Sequence, residues 1–387
     1  MSVQPLPLPM YGDRPVVLLT NDDGPPSASS PNIFAFCKLL QERLGWIVKV
    51  VIPDCQKSWV GKAYAISDII TLSYFYPLGP DGLTGDITPT PRPLKEGETM
   101  EWILLAGTPA SCTNIALHNL YPGQIDMVIS GPNHGRNSST AFALSSGTLG
   151  AALAGALSVP LPGPTPSELS LHVEHIPCIA VSYGVVARPV PPKALEYSHD
   201  VAVDVCDRLW RNWGYEGEPG PSRRRVQIYS INVPIVEEAL EPQNRKVVWT
   251  TMWRNAYGQL FKTTKLDKAA YDPSDNAKQD PNRPAKAVPP RVSTTATAGP
   301  GALPTPDPAS PAETGSSRQL KFHFAPTMGP LLFPPEEIVP EGTDAWAFAK
   351  GYVSVTPMRA EYAGLGAGGC GFGSEESGMV PGSEWKM

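Results

Sequence analysis

Four consecutive apolar residues, Val16 to Leu19, lead into the polar stop Asn21, Asp22, Asp23 and Gly24. An unbroken run of this kind predicts a strand covered on both faces, as in a parallel sheet. The pattern then changes period. Ile33, Phe36, Leu39, Leu40 and Leu44 recur near helical spacing over 32–45, Gly45 marks the stop, and 46–53 reads as a second strand. Such a β-α-β unit is right-handed with parallel strands, so both C-terminal loops emerge at one edge of the sheet. A third strand over 125–130 runs into "GPNHGRNSS", and a helix rich in small residues follows over 145–157. Its first turn presents unpaired backbone N–H groups and the positive end of a dipole, an anion site.

The second half is less regular. Strands are predicted over 176–184 and 225–234, an amphipathic helix over 200–214, and a helix followed by a strand over 342–357. Between Asp267 and Ser317 the chain is dominated by Pro, Ala, Ser, Thr, Asp and Lys, too little apolar surface to offset its ordering entropy, and reads as a disordered Pro-rich insertion. Residues 359–387 read as a Gly-rich flexible tail, which leaves 14–358 as the folded domain interrupted by the insertion. No internal repeat is visible. The alternation of strands and helices gives an α/β class with a mainly parallel sheet flanked by helices.

Composition narrows the function classes. A chain of 387 residues with 41% hydrophobic content can build a sizeable core. A net charge of −6 supplies no basic footprint, which disfavours polymeric nucleic acid but leaves room for a small phosphate pocket. The six cysteines (37, 55, 112, 178, 206 and 370) include no C-x-x-C pair and fit reduced thiols better than a disulfide framework or a zinc site. The first residues lack a secretory signal pattern, and no later run approaches a membrane span, so a cytoplasmic protein without a membrane partner is expected.

Asn21 to Gly24 admit two readings, a turn that stops a strand by local hydrogen bonding or a functional loop in the crevice beyond the strand ends. Two adjacent carboxylates repel, and stay ionised cheaply only with a cation between them. The remaining motifs favour the second reading. "LLTNDDG", "PDCQKS", "GTPASC", "DMVISGPNHGRN", "SSGTLGAALAGAL", "SINVP" and "GTDAWAFAKGYVSVTP" come in an order and spacing that resembles the survival protein SurE family, over roughly 14–260 and 319–358. The resemblance implies a Rossmann-like core, a divalent cation (magnesium or manganese), and hydrolysis of phosphomonoesters, nucleoside 5′- or 3′-monophosphates in particular. It also implies a homodimer or tetramer assembled through a C-terminal hairpin and helix extension. The family's metal ligands map here onto Asp22, Asp23, Ser58 and Asn133, of which Asp22, Asp23 and Asn133 would also carry catalysis. Trp59 departs from the small residue many relatives carry after that Ser, and Ser111 stands where they often have Asp.

The donor set is chemically coherent. Two carboxylates, a hydroxyl and an amide carbonyl suit a hard cation and leave positions for water and a phosphoryl oxygen. The N–H groups of Ser146, Gly147 and Thr148 are expected to hold non-bridging phosphate oxygens, with Asn21 and Asn137 as polar neighbours that orient water or phosphate; turn hydrogen bonding explains those two Asn as well. Two rivals stand beside this. One is a catalytically idle nucleotide-binding or interaction module presenting the Pro-rich segment to partners. The other is a histidine phosphatase, since "NHGRN" superficially resembles R-H-G-x-R, although Asn133 occupies the place of the first arginine.

Overall fold

The computed structural model describes residues 14–158, 175–186, 188–216, 224–264 and 321–361. The expected insertion at 267–317 and nearly all of the expected tail at 359–387 lie outside these residues. The chain separates into two compact units, one comprising 1–255 with 339–387 and the other 256–338.

The first unit is built on a ten-stranded sheet. Its strands are β1 (Val16–Thr20), β2 (Ile47–Pro53), β3 (Leu72–Leu78), β4 (Thr84–Thr88), β5 (Trp102–Leu105), β6 (Met127–Asn133), β7 (Cys178–Val185), β10 (Ile228–Ile235), β11 (Val247–Trp249) and β14 (Val353–Met358). Across the sheet they lie in the order β11-β14-β10-β7-β6-β1-β2-β5-β3-β4. From β10 to β5 every neighbouring pair is parallel. Among the described strands of this sheet, antiparallel pairs occur only toward the two edges, β10 with β14, β5 with β3, and β3 with β4. A short ladder, β8 (Tyr215–Glu216) with β9 (Arg224–Arg225), stands apart from the sheet.

Helices cover both faces, which is why the parallel strands read as apolar runs rather than alternations. Val17 and Leu19 pack with Phe36 and Leu40 of α1 (Ile33–Glu42) and with Val201, Cys206 and Leu209 of α5 (Pro192–Arg211). Leu18, pointing the other way, packs with Cys112 of α2 (Pro109–Ile115) and with Leu149 and Ala152 of α4 (Gly147–Ala156). Burying one such leucine contributes about 1.5–3 kcal/mol, so each strand position is held from its own side. The amphipathic helix expected from residue 200 starts at Pro192 instead, because proline is tolerated in the first turn where its missing N–H is not needed. The helix expected at 145–157 is preceded by a separate short one, α3 (Thr140–Ser145), and the two meet at Ser146. The described residues of the unit also include a helical segment continuing α2 over Ala116–Leu120, α6 (Glu237–Leu240) before β11 and α8 (Asp344–Ala349) before β14.

Chain order sets the position of the site. From β1 the chain moves outward through β2 to β5, then returns to lay β6, β7 and β10 on the other side of β1. The switch of direction falls between β1 and β6, where the loops after the two strands diverge and leave a crevice. Thr20 of β1 pairs with Ser130 of β6, so Asp22 and Asp23 emerge beside Gly131 to Asn133.

The second unit, where described, contains β12 (Phe261–Thr264) paired antiparallel with β13 (Lys321–Phe324), then α7 (Gly329–Leu332) and a helical turn at Glu336–Ile338. The strand pair is closed on one side by an edge-to-face contact of Phe261 and Phe324, ring centres 5.6 Å apart.

Candidate active site

Asp22 and Asp23 are both buried at the switch point, 3% and 4% exposed. Asp22 faces the first turn of α4. The Thr148 hydroxyl donates to its Oδ1 at 2.6 Å, and the backbone N–H groups of Gly147 and Thr148 also support the carboxylate. Gly147 is required there, because a Cβ would lie 2.7 Å from the Asp22 Cβ. Asp23 accepts the backbone N–H of His134 at 2.7 Å and a side-chain hydrogen bond from Gln56. Burial pushes the Asp22 carboxyl up to about 6, with these donors pulling the other way. Asp23 is raised well above the usual carboxylate range, first by burial and then by the negative charge of Asp22. Among the described residues no ion pair neutralises either group.

The loop after β2 lies against the loop after β1. The Lys57 N–H donates to the Asp22 carbonyl at 2.7 Å, and a Cβ on Gly24 would come within 3.0 Å of the Cys55 backbone. This brings the loop of Ser58 to the site, although the Ser58 side chain itself is exposed and makes no hydrogen bond to either carboxylate. Asn133 ends β6 and donates its amide Nδ2 to the Gly135 carbonyl at 2.8 Å, which leaves its carbonyl oxygen as the end available to a ligand.

The other expected polar neighbours are engaged locally. Both ends of the Asn21 amide serve its own loop, the Nδ2 donating to the Gly24 carbonyl at 2.8 Å and the Oδ1 accepting the Gly24 N–H at 3.1 Å. Asn137 ties its loop to the far side of the sheet, donating Nδ2 to Ser182 of β7 at 2.8 Å and its N–H to Asn232 of β10 at 2.7 Å. Ser146 caps α4 by accepting the Leu149 N–H at 3.1 Å. The N–H groups of Gly147 and Thr148, expected to face phosphate oxygens, face Asp22.

Three contacts at the site were not among those expected from the sequence. Gln56, two residues before Ser58 and inside "PDCQKS", bonds Asp23. The Thr148 hydroxyl, rather than its N–H, makes the shortest bond to Asp22. Asp344 of α8, inside the "GTDAW" motif, accepts the N–H of Ser139 at 2.7 Å and of Trp253 at 2.9 Å and so anchors the end of the 133–139 loop. Arg136 of that loop is stacked over Phe348 at 4.8 Å and Phe142 at 5.6 Å; burial lowers its guanidinium to about 10 against the pull of the Asp344 charge.

The site fits a hard divalent cation. Two buried carboxylates side by side with no cationic partner are costly, and oxygen donors are what magnesium or manganese take. Polar atoms without partners also collect at these strand ends: Thr20 Oγ1, Ser130 Oγ and Asn232 Nδ2, each on a residue 0% exposed. Among the described residues no group of three or more His, Cys, Asp or Glu is placed to hold a metal, so the donor set rests on two carboxylates with Ser and Asn oxygens.

A family model described as Survival protein SurE matches residues 17–259. The chain belongs to the SurE family. The matched stretch contains all the residues of the SurE site described above except Asp344 and Phe348. Among its relatives, the 5′-nucleotidase SurE of Christiangramia forsetii is 32% identical over 62% of this chain and 82% of its own length. A probable tubulin–tyrosine ligase, PBY1, of Saccharomyces cerevisiae is 34% identical over 63% of this chain, but the match spans 32% of that protein. The crystal structure of the SurE protein from Aquifex aeolicus aligns over 90% of this chain and 95% of that one at 20% identity and a TM-score of 0.49.

Proposed function

We propose that this SurE-family protein is a metal-dependent phosphomonoesterase acting on nucleoside 5′- or 3′-monophosphates or similar small phosphate esters. The observation that carries the reading is the buried pair Asp22 and Asp23 at the crevice between β1 and β6, supported by donors but, among the described residues, by no cationic side chain. The 5′-nucleotidase relatives support the same activity.

Asp22, Asp23, Ser58 and Asn133 would hold a magnesium or manganese ion. When bound, such an ion polarises the phosphoryl group and lowers the pKa of water. The chain's own residues set the geometry. Thr148 and the first turn of α4 fix the Asp22 carboxylate, and the His134 N–H and Gln56 fix that of Asp23. Asn137, locked to Ser182 and Asn232, holds the 133–137 loop over the crevice, so the amide of Asn133 is positioned before a substrate arrives. Water is the nucleophile and the His134 ring has no covalent part. A homodimer or tetramer in the cytoplasm completes this reading by family likeness.

The test is a panel of phosphomonoesters assayed with and without added manganese or magnesium, together with thermal melts. Chelator is expected to abolish turnover, either metal to restore it, and Asp22→Asn to nearly eliminate it. At a hundredfold excess over its dissociation constant the metal should add about 2.7 kcal/mol to the stability of the wild type and far less to Asp22→Asn. Full activity in excess chelator would overturn the proposal.

A further inference from the structure

Trp59 is one of two non-glycine residues with positive φ among those described, at 62°. A bulky aromatic rarely adopts this conformation, and such strain persists only where the surroundings impose it. Here they do. The Gly61 N–H donates to the Ser145 carbonyl at 2.9 Å, at the junction of α3 and α4. A Cβ on Gly150 of α4 would lie 2.1 Å from the Gly61 carbonyl oxygen, so the loop rests directly on the helix that faces Asp22. Farther along, the Thr108 hydroxyl donates to the Ala63 carbonyl at 2.5 Å, and the Ala65 N–H donates to the Ser111 hydroxyl at 3.1 Å. Ser111 therefore has an observed job, pinning this same loop to the start of α2.

The indole held by that loop is neither buried nor loose. It is 36% exposed and meets the Phe142 ring edge to face, centres 6.2 Å apart. Phe142 also carries the Arg136 guanidinium at 5.6 Å. One ring thus joins the residue after Ser58 to a residue three after Asn133, which sets Trp59 at the rim between the two loops that bear the remaining metal donors. The rim continues with exposed Leu144 and with Tyr64, under which Lys62 lies 4.5 Å from the ring centre. A strained, half-exposed aromatic beside a phosphate-hydrolysing centre has a physical use when the substrate carries a flat ring one sugar away from its phosphate.

We propose that Trp59 is a specificity-determining residue of this site, an aromatic platform on which the nucleobase of a nucleoside monophosphate stacks while the phosphate reaches Asp22 and Asp23. The inference rests on the phosphomonoesterase reading and narrows it to substrates with a planar aromatic group. Face contact between a base and an aromatic side chain is tolerant of base identity, so the platform selects nucleotides over base-free esters and not one base over another.

Two probes with the same phosphate and sugar, adenosine 5′-monophosphate and ribose 5-phosphate, separate this from all other contributions. Their kcat/KM values are compared in manganese for the wild type, Trp59→Gly and Trp59→Phe, and their calorimetric binding constants in excess chelator, where turnover is expected to stop. Glycine takes the positive φ without strain, so the loop path is retained. The wild type is expected to favour the nucleotide, the ratio to fall about tenfold or more in Trp59→Gly, and Trp59→Phe to keep most of it. An unchanged ratio in Trp59→Gly, or no preference in the wild type, would overturn the proposal. Failure to hydrolyse either ester would sink the phosphomonoesterase reading instead, and the binding ratio would still decide whether Trp59 stacks the base.

Discussion

Gly147 stands against Asp22 so closely that a methyl group on it would sit 2.9 Å from the Asp22 Oδ2 and 2.7 Å from the Cβ. The first turn of α4 and the carboxylate have no space between them, and the helix end supplies hydrogen bonds where a side chain would intrude. Alanine is the better helix former, so no loss of helix is expected on propensity alone. It should nevertheless displace Asp22 and lower turnover by about a hundredfold, since misplacement on the ångström scale costs that much. Circular dichroism and steady-state kinetics on Gly147→Ala check both halves; undiminished turnover would show that Asp22 need not be held there.

Asn133 and His134 are neighbours with different work. The Asn133 side chain is free to offer its oxygen, whereas His134 reaches Asp23 through its backbone N–H, which every residue except proline keeps. His134→Ala is therefore expected to lose at most about tenfold in rate, roughly 1.4 kcal/mol, and Asn133→Ala far more. Acid-quenching after mixing with labelled ester provides an independent check, and acid-labile label on the His134 ring would replace hydrolysis by water with a phosphoenzyme.

His199 lies on α5, 5% exposed, its Nδ1 3.1 Å from the Tyr183 hydroxyl. Burial lowers its pKa from 6.5 to about 4. The unfolded chain takes up a proton below pH 6.5 that the folded protein refuses, so the contribution of this residue is complete above pH 6.5 and is lost as pH falls toward 4. The loss amounts to about 3 kcal/mol. Denaturant unfolding of the wild type and His199→Gln at pH 7 and pH 4.5 should show a flatter pH dependence in the variant; identical slopes would mean that His199 titrates alike in both states.

What the sequence made legible divides by the range of the interactions. The central strands were readable because helices cover them on both faces, and continuous apolar runs such as Val16–Leu19 follow from that alone. That Asp22, Asp23 and Asn133 lie at or just beyond the C-terminal ends of two neighbouring parallel strands was readable from the apolar runs before them. The start of α5 at Pro192 was hidden, since its first two turns mix polar and apolar residues and proline reads as a breaker. Gln56 and Asp344 were hidden for another reason: their partners are remote in sequence, and no periodicity reports a contact 205 residues apart. The first turn of α4 was recognised as an anion site, and the anion the structure shows there is the protein's own carboxylate.

The clamp of Asp344 on Ser139 also has a direction in time. A ribosome delivers β1, β6 and α4, with both aspartates and Asn133, long before it delivers residue 344. Until then Ser139, held at a φ of 74°, lacks the acceptor for its N–H, and the 133–139 loop has no anchor at that end. The growing chain can therefore lay down the parallel centre of its sheet, β10 to β5, before its chemistry is complete. A chain that stops short of α8 would carry every proposed metal donor and still leave the loop of Asn133 unfastened.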